Sequence, residues 1–427
     1  MALNLFDEYR WRGMLHDATE GAEAALADGN QAAYVGFDPT AASLHVGHLL
    51  PIMGLVHLQR AGHTPIALVG GGTGLIGDPS GKTRERQLLS LEEAEANAQA
   101  VGAQLESFLD FEGVPNPARI VNNLDWLGEM GILEFLRDVG KHFPVNAMLR
   151  KESVRRRLED TATGISFTEF SYLLLQSYDF YRLSRDHGCH FQLGGSDQWG
   201  NITGGIDLIR RMTGESSYGA VFPLITTASG VKFGKTEEGT VWLDPKRTSA
   251  YRFYQYWMNT DDSDASRYLR FFTLLPRDEV EALDRALEER PHERSIQRRL
   301  AEEVTRAVHG ETGLARARAA SRVLFGGEVT GLDAEEIQEI FADVPSSSLD
   351  VGRLRGEGVG IVALLAEVGA ASSRGEARRG VEQGGVYLNN QRITDPHYTV
   401  TPEDALHDRF LVLRKGKKRF HLVRVEG

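Results

Sequence analysis

The sequence predicts a doubly wound, mainly parallel α/β body, then a helical region, then a small α+β module. Three observations carry that prediction: strand-like runs alternate with helical patterns up to residue 247, the alternation stops near Thr248, and the local charge reverses beyond Ile361. Alternating β and α patterns build a parallel sheet with helices on its faces. Ala32 to Phe37 reads as a strand, and His45 to Ala61 as a helix with Leu49, Ile52, Met53 and Val56 on one face. Pro65 to Val69 and Ala118 to Val121 are further strands. A long helix around Ser166 to Tyr181, a strand at Cys189 to Leu193, a helix from Ser196 to Met212 and a strand at Val221 to Thr226 complete the body. Sheets of this kind bind ligands in the crevice at the carboxyl ends of their strands.

From 248 to 343 the pattern is helical, with aromatic and apolar spacing through Tyr251, Tyr254, Trp257, Tyr268, Leu269 and Phe272. Val344-Pro345-Ser346-Ser347-Ser348 and the glycine-rich stretch to Gly360 then have little to pack, so 344–360 reads as a flexible linker. The last module, 361–427, shows a helix near Ile361 to Val368, a second after Ser372-Ser373 that contains Arg374, Arg378 and Arg379, and strands after Gly384-Gly385.

A chain of 427 residues exceeds what one hydrophobic core serves, so several domains are expected. With 41% hydrophobic and 25% charged residues the composition is that of an ordinary globular protein. No apolar run approaches the roughly 20 residues of a membrane span. The start, MALNLFDEYRWRGML, lacks the basic and apolar segments of a secretory signal. Cys189 is the single cysteine, which excludes an intrachain disulfide and a cysteine-built zinc site and fits a reducing cytoplasm. The net charge of -12 argues at first against a polyanionic partner. From Ile361 to Gly427, however, eleven Lys and Arg face eight Asp and Glu. A small basic module follows an acidic body.

Two tempting motifs fail on inspection. Gly72-Thr73-Gly74-Leu75-Ile76-Gly77 matches a dinucleotide fingerprint after a strand, but Asp78-Pro79-Ser80-Gly81 is turn chemistry where that motif needs a helix. Its glycines read instead as positions where backbone approaches a neighbour or a ligand. Gly77-Asp78-Pro79-Ser80-Gly81-Lys82-Thr83 has three residues between its glycines, one short of the phosphate-cradling P-loop. Lys82 and Arg86 remain either as loop cations that meet phosphate or as an exposed basic loop.

Two other segments point to phosphate chemistry. His45-Val46-Gly47-His48 puts two imidazoles at the start of a helix, where backbone N–H groups and the dipole favour anions. Gly47 leaves room there for a flat base or ribose. Neither histidine has a carboxylate or cysteine at metal-ligand spacing, so no metal site is expected. Lys232-Phe233-Gly234-Lys235-Thr236 supplies two ammonium groups and a hydroxyl on a loop. Together the two segments fit ATP held from both ends.

These residues carry a resemblance. Phe37-Asp38-Pro39-Thr40 through His48 resembles the HIGH signature of class I aminoacyl-tRNA synthetases, and Lys232 to Thr236 resembles their KMSKS loop, with Val46 for Ile and Phe233-Gly234 for Met-Ser. Phe170-Ser171-Tyr172 to Gln176, Tyr178-Asp179-Phe180 and Gly194 to Asn201 narrow it to the bacterial tyrosyl-tRNA synthetases, essentially end to end. The resemblance implies a Rossmann-like catalytic domain over 1–247, a helical anticodon-side domain over 248–343 and an RNA-binding domain over 361–427. It implies that L-tyrosine is activated with ATP and transferred to tRNA(Tyr), with Mg2+ bound through the ATP phosphates.

By the same resemblance, Tyr34 and Asp179 meet the phenol, and Asp78, Tyr172 and Gln176 the ammonium; Tyr172 and Gln176, four apart, share a helix face. Gln198 lies near the reacting carboxylate, and Gly36, Asp38, Gly47, Gly195 and Asp197 near the adenosine. Thr40, His45, His48, Lys82, Arg86, Lys232, Lys235 and Thr236 stabilise phosphate charge. A site that selects tyrosine over phenylalanine must hydrogen-bond the phenol, because phenylalanine then leaves buried polar groups unpaired. Without the resemblance, Tyr34 reads as a core aromatic and Asp179 as a surface acid near a helix end.

The last module resembles the small RNA-binding domain of ribosomal protein S-four, through Ser372 to Arg379 and Gly384 to Asn389. Arg374, Arg378, Arg379, Lys415, Lys417 and Lys418 are its candidate RNA contacts. The family implies a homodimer, and no membrane partner is expected. Three other readings are a tryptophan-specific relative, a non-catalytic RNA-binding protein that keeps the fold, and an NAD-dependent oxidoreductase.

Overall fold

A six-stranded sheet organises the first part of the chain: β1 (Asp17–Ala18), β2 (Ala32–Phe37), β3 (Thr64–Val69), β4 (Arg119–Asn122), β5 (Cys189–Gly195) and β6 (Tyr218–Phe222) lie in the order β1-β6-β5-β2-β3-β4. All neighbours are parallel except β1, which runs antiparallel to β6. The expected parallel, helix-covered sheet is therefore present. The molecule is a computed structural model that describes residues 4–80, 89–151, 154–155, 158, 164–228, 233–236, 239–327, 329, 332–342, 344–416 and 419–427.

Strand order reverses at β2, with β3 on one side and β5 on the other. That reversal opens a crevice at the strand ends. Tyr34 is in register with both Ile66 and Gln192, so these side chains share one face. Tyr34, Ile66, Leu68, Phe180, Leu183 and Cys189 form the core between the sheet and the helix Phe167–His187. Ser166 caps that helix by accepting from the Glu169 N–H, and Gly188, at φ 61°, ends it.

Several boundaries differ from the sequence reading. The expected strand at Val221 to Thr226 is Tyr218–Phe222, because Pro223 has no N–H to continue the ladder. The helix read from His45 opens as a 3-10 turn, Val46–His48, before the α-helix Leu49–Arg60. Similarly, Ser196–Gln198 is a 3-10 turn ahead of Trp199–Thr213.

The chain clusters into two compact units, Met1–Ser249 with Tyr256–Val308, and Ala250–Gln255 with His309–Gly427. The helical region read over 248–343 thus contributes to both. In the first unit, Arg12 donates to the carbonyls of Arg270, Thr273 and Leu275, fastening the helix Leu5–Arg12 to the end of the helix Asp262–Phe272.

In the second unit a five-stranded sheet has the order Gln391–Ile393, Val386–Leu388, Phe410–Lys415, Arg419–Glu426, Ser346–Asp350. Leu411, Leu413, Val423 and Val425 pack one face against the helices Ile361–Glu367 and Arg374–Glu382. Phe410, Val412, Phe420 and Leu422 pack the other face against Val323, Ile337 and Phe341. The stretch read as a linker is partly structural: residues 346–350 pair with Leu422 to Glu426. Serine-rich composition suggested little to pack, but an edge strand bonds through its backbone and needs few apolar side chains. No helix among the described residues is long and apolar enough to cross a membrane.

Candidate active site

A cavity of about 500 Å3 opens at the carboxyl ends of β2, β3 and β5. Its lining brings together Tyr34, Gly36, Asp38, Thr40, His45, Gly47, His48, Asp78, Tyr172, Gln176, Asp179, Gly195, Asp197 and Gln198, fourteen residues that the sequence placed in one site. Lys82, Arg86 and Lys232 lie outside the described residues, as do the side chains of Lys235 and Thr236.

The deep part of the cavity is built on β2 and the helix Phe167–His187. Tyr172, Gln176 and Asp179 recur at i, i+4 and i+7, on one helix face. Asp179 is only 1% exposed, which excludes the surface acid that its sequence also permitted. Its Oδ1 accepts from Trp126 Nε1 at 2.7 Å and its Oδ2 from Asn123 Nδ2 at 2.8 Å. Burial pushes the carboxyl up to about 7, against the two donors, which pull it down, and with Asp38 adding to the rise. Tyr34 is fully buried, and its hydroxyl has no hydrogen-bond partner among the described residues. An unpaired buried hydroxyl costs about 1–3 kcal/mol, a cost that a ligand hydroxyl removes.

Nearer the strand ends, Tyr172 Oη donates to Asp38 Oδ2 at 2.8 Å. Gln198 Nε2 donates to Asp78 Oδ2 at 2.7 Å, while Asn201 Nδ2 donates to Gln176 Oε1 at 2.9 Å and to Gln198 Oε1 at 3.1 Å. Carboxylates and amide oxygens therefore converge, a set of acceptors suited to an ammonium group. On β2, a Cβ at Gly36 would meet nothing among the described residues within 4 Å, so this glycine leaves that face of the strand open to a ligand.

The two histidines organise their own turn. His45 Nδ1 accepts from the Gly47 N–H at 3.0 Å and His48 Nδ1 from the His45 N–H at 3.1 Å. With Nδ1 an acceptor on both rings, the neutral tautomer carries its proton on Nε2, where it can donate to a phosphate oxygen. Gly47 has a local reason as well: a Cβ there would lie 2.7 Å from His45 Cε1. Among the described residues no group of three His, Cys, Asp or Glu is placed to hold a metal ion.

The second motif packs on the first. The Val46 N–H donates to the Val241 carbonyl, the Val241 N–H to the Gly234 carbonyl, and the Leu243 N–H to the Leu44 carbonyl. Phe233 stacks on Phe272 at 5.6 Å, beside Trp257 and Tyr268, and the Gly234 N–H reaches Tyr256 Oη at 3.1 Å. Gly234 has φ 79°, a conformation glycine adopts without strain. Phe233 and Gly234 are thus the loop's anchor. Lys235 and Thr236 follow in a two-residue strand paired with Gly239–Thr240.

Two family models match this chain: one described as tRNA synthetases class I (W and Y), over residues 27–326, and one described as a tyrosine–tRNA ligase SYY-like C-terminal domain, over 336–423. A tyrosine–tRNA ligase of Roseiflexus castenholzii is 53% identical over 99% of both chains. The chain belongs to the class I tyrosine–tRNA ligases. The ligase of Geobacillus stearothermophilus is 50% identical over 99% of this chain and 100% of its own. Among solved structures, a C-terminally truncated mitochondrial tyrosyl-tRNA synthetase of Aspergillus nidulans aligns with TM-score 0.68 and 30% identity, covering 75% of this chain and 94% of that one.

In this ligase Thr73, Asn123, Trp126 and Asn201 bond to the predicted residues, and the sequence assigned none of the four a role, although Thr73 and Asn201 lie in runs quoted above. No spacing rule joins them to the helix face they serve. In the C-terminal domain Arg374, Arg378 and Arg379 are exposed on one helix, while Lys415 is half-buried in an ion pair with Glu376. Lys417 and Lys418 lie outside the described residues.

Proposed function

We infer that the cavity activates L-tyrosine with ATP, releasing pyrophosphate, and then hands the tyrosyl group to the 3′ end of tRNA(Tyr), the reaction of the ligase family to which the chain belongs. The observation that carries the amino-acid choice is the buried Tyr34 and Asp179 pair on the cavity wall. The phenol O–H donates to Asp179 and accepts from Tyr34, while Asp78, Tyr172 and Gln176 take the ammonium. Gln198 orients the carboxylate, whose oxygen attacks the α-phosphorus as the bond to pyrophosphate breaks. Negative charge grows on the phosphoryl oxygens, so the burden is electrostatic. Thr40, His45 and His48 serve it, with Lys82, Arg86, Lys232, Lys235 and Thr236. Gly36, Asp38, Gly47, Gly195 and Asp197 border the adenosine. A ribose hydroxyl of the terminal tRNA nucleotide then attacks the acyl carbon and AMP leaves.

Mg2+ belongs to the proposal through the ATP phosphates, since this ion uses substrate phosphates as ligands and needs no dedicated protein cage. Arg374, Arg378, Arg379, Lys415, Lys417 and Lys418 are the tRNA contacts of the C-terminal domain. A cytoplasmic setting is supported by the buried free Cys189. A homodimer is supported by large apolar side chains left exposed between 132 and 167, among them Ile132, Leu133, Leu136, Val145 and Phe167, the last 76% exposed. Sedimentation of Phe167→Asp is expected to show one-chain mass where the wild type shows two; a monomeric wild type overturns the dimer. Pyrophosphate exchange across the twenty amino acids tests the activity. Tyrosine alone is expected to support exchange, and tryptophan in its place would overturn the assignment.

A further inference from the structure

The glycine-rich run after β3, unsuited to a dinucleotide, places one hydroxyl between the two recognition ends of the cavity. Thr73, 2% exposed, opens the turn Thr73–Leu75 and lines the cavity. We propose that Thr73 is a positioning residue that holds the phenol-binding and ammonium-binding ends of the tyrosine site in one register, which rests on the roles given above to Asp179 and Tyr172.

The proton assignments leave little freedom. The Gly72 N–H donates to Asn123 Oδ1 at 2.8 Å, which turns the amide nitrogen of Asn123 to the other side. That nitrogen gives one proton to Asp179 Oδ2 at 2.8 Å and the other to Thr73 Oγ1 at 2.9 Å. Thr73 has a single hydroxyl proton, and it goes to Asp38 Oδ1 at 2.8 Å. The other oxygen of Asp38 accepts from Tyr172 Oη at 2.8 Å. Tyr172 therefore turns its oxygen lone pairs, and not its proton, toward an approaching ammonium.

The backbone makes room for this chain. A Cβ at Gly70 would overlap both Asp38 Oδ1 and Thr73 Oγ1, so a side chain there would separate them. Buried networks of this kind hold one geometry when every member is paired and lose it when one is removed. Among the described residues, Thr73 is the hydroxyl that joins Asn123, the donor to Asp179, to Asp38.

The test uses the full-length protein and equilibrium binding of tyrosine, phenylalanine, which lacks the phenol O–H, and 3-(4-hydroxyphenyl)propionate, which lacks the ammonium. Thr73→Val keeps the side-chain shape and removes both bonds. It is expected to shrink both the tyrosine-to-phenylalanine and the tyrosine-to-propionate affinity ratios, each on the order of tenfold. Thr73→Ser is expected to keep both. If Thr73→Val is unstable, Thr73→Ala carries the same comparison. Unchanged ratios, an equal loss for all three ligands, a change in one ratio alone, or a Thr73→Ser variant as impaired as Thr73→Val each overturn the proposal. Wild-type protein that shows no preference for tyrosine over either analogue would instead refute the parent reading of Asp179 or Tyr172.

Discussion

Asp179 gives up hydration for two neutral donors, Asn123 and Trp126, and that exchange leaves its carboxyl near 7. The shift is upward, so the acid form becomes populated as pH falls through about 7, and a protonated carboxyl is a poorer acceptor for a phenol O–H. The tyrosine KM is therefore expected to rise as pH drops from 8 to 6, and Asp179→Asn to abolish that inflection. The same variant should lower kcat/KM for tyrosine by on the order of ten- to hundredfold and for phenylalanine far less, read by pyrophosphate exchange. The shared face of Tyr172 and Gln176 was legible from spacing; that Asp179 continues it at i+7 shows only once the helix is seen to run on to His187. Asn123 and Trp126 were not, since they sit 56 and 53 residues from the carboxylate they hold and no local rule spans that gap.

Elements set where these side chains can act. The loop bearing the second motif is pinned by Phe233 among Trp257, Tyr268 and Phe272, all buried. Phe233→Ala is expected to cost about 3 kcal/mol or more of stability and to lower kcat while leaving tyrosine affinity nearly intact, since the pin holds the end proposed to meet phosphate. Denaturant melts and the split between KM and kcat check both parts. In the helix Leu49–Arg60, His57 is 1% exposed with neither ring nitrogen hydrogen-bonded among the described residues, and burial, with Arg12 and Arg60 nearby, lowers it to about 3. The folded value lies below the unfolded one, so this contribution is complete above about 6.5 and is lost as pH falls toward 3. One proton gives a limiting slope of about 1.4 kcal/mol per pH unit. Urea unfolding between pH 7.5 and 5 should show it, and His57→Leu should flatten it. Helix and strand periods announced these elements; the 3-10 openings at Val46 and Ser196 escaped because a single tight turn shares the apolar pattern of the helix it begins.

At the scale of the whole molecule, the C-terminal sheet has apolar residues on both faces, and this changes what a truncation does. Deleting 361–427 would uncover Val323, Ile337 and Phe341 and leave residues 346–350 without their partner strand. The shortened protein is expected to keep tyrosine-dependent pyrophosphate exchange, to lose tRNA charging and to aggregate on heating, as followed by light scattering. A cut chain that stays monodisperse would contradict the two-faced packing. The sequence by itself determined the parallel sheet, because period acts over a few residues, and its resemblance to a known family named the two histidine and lysine segments and most of the cavity's polar lining. Tertiary structure alone decided that Asp179 is buried and shifted, that Phe233 and Gly234 anchor a loop, and that Thr73 and Asn123 join the two carboxylates. Those properties arise from desolvation and from hydrogen bonds between residues some fifty positions apart, which exist only once the sheet has brought them together.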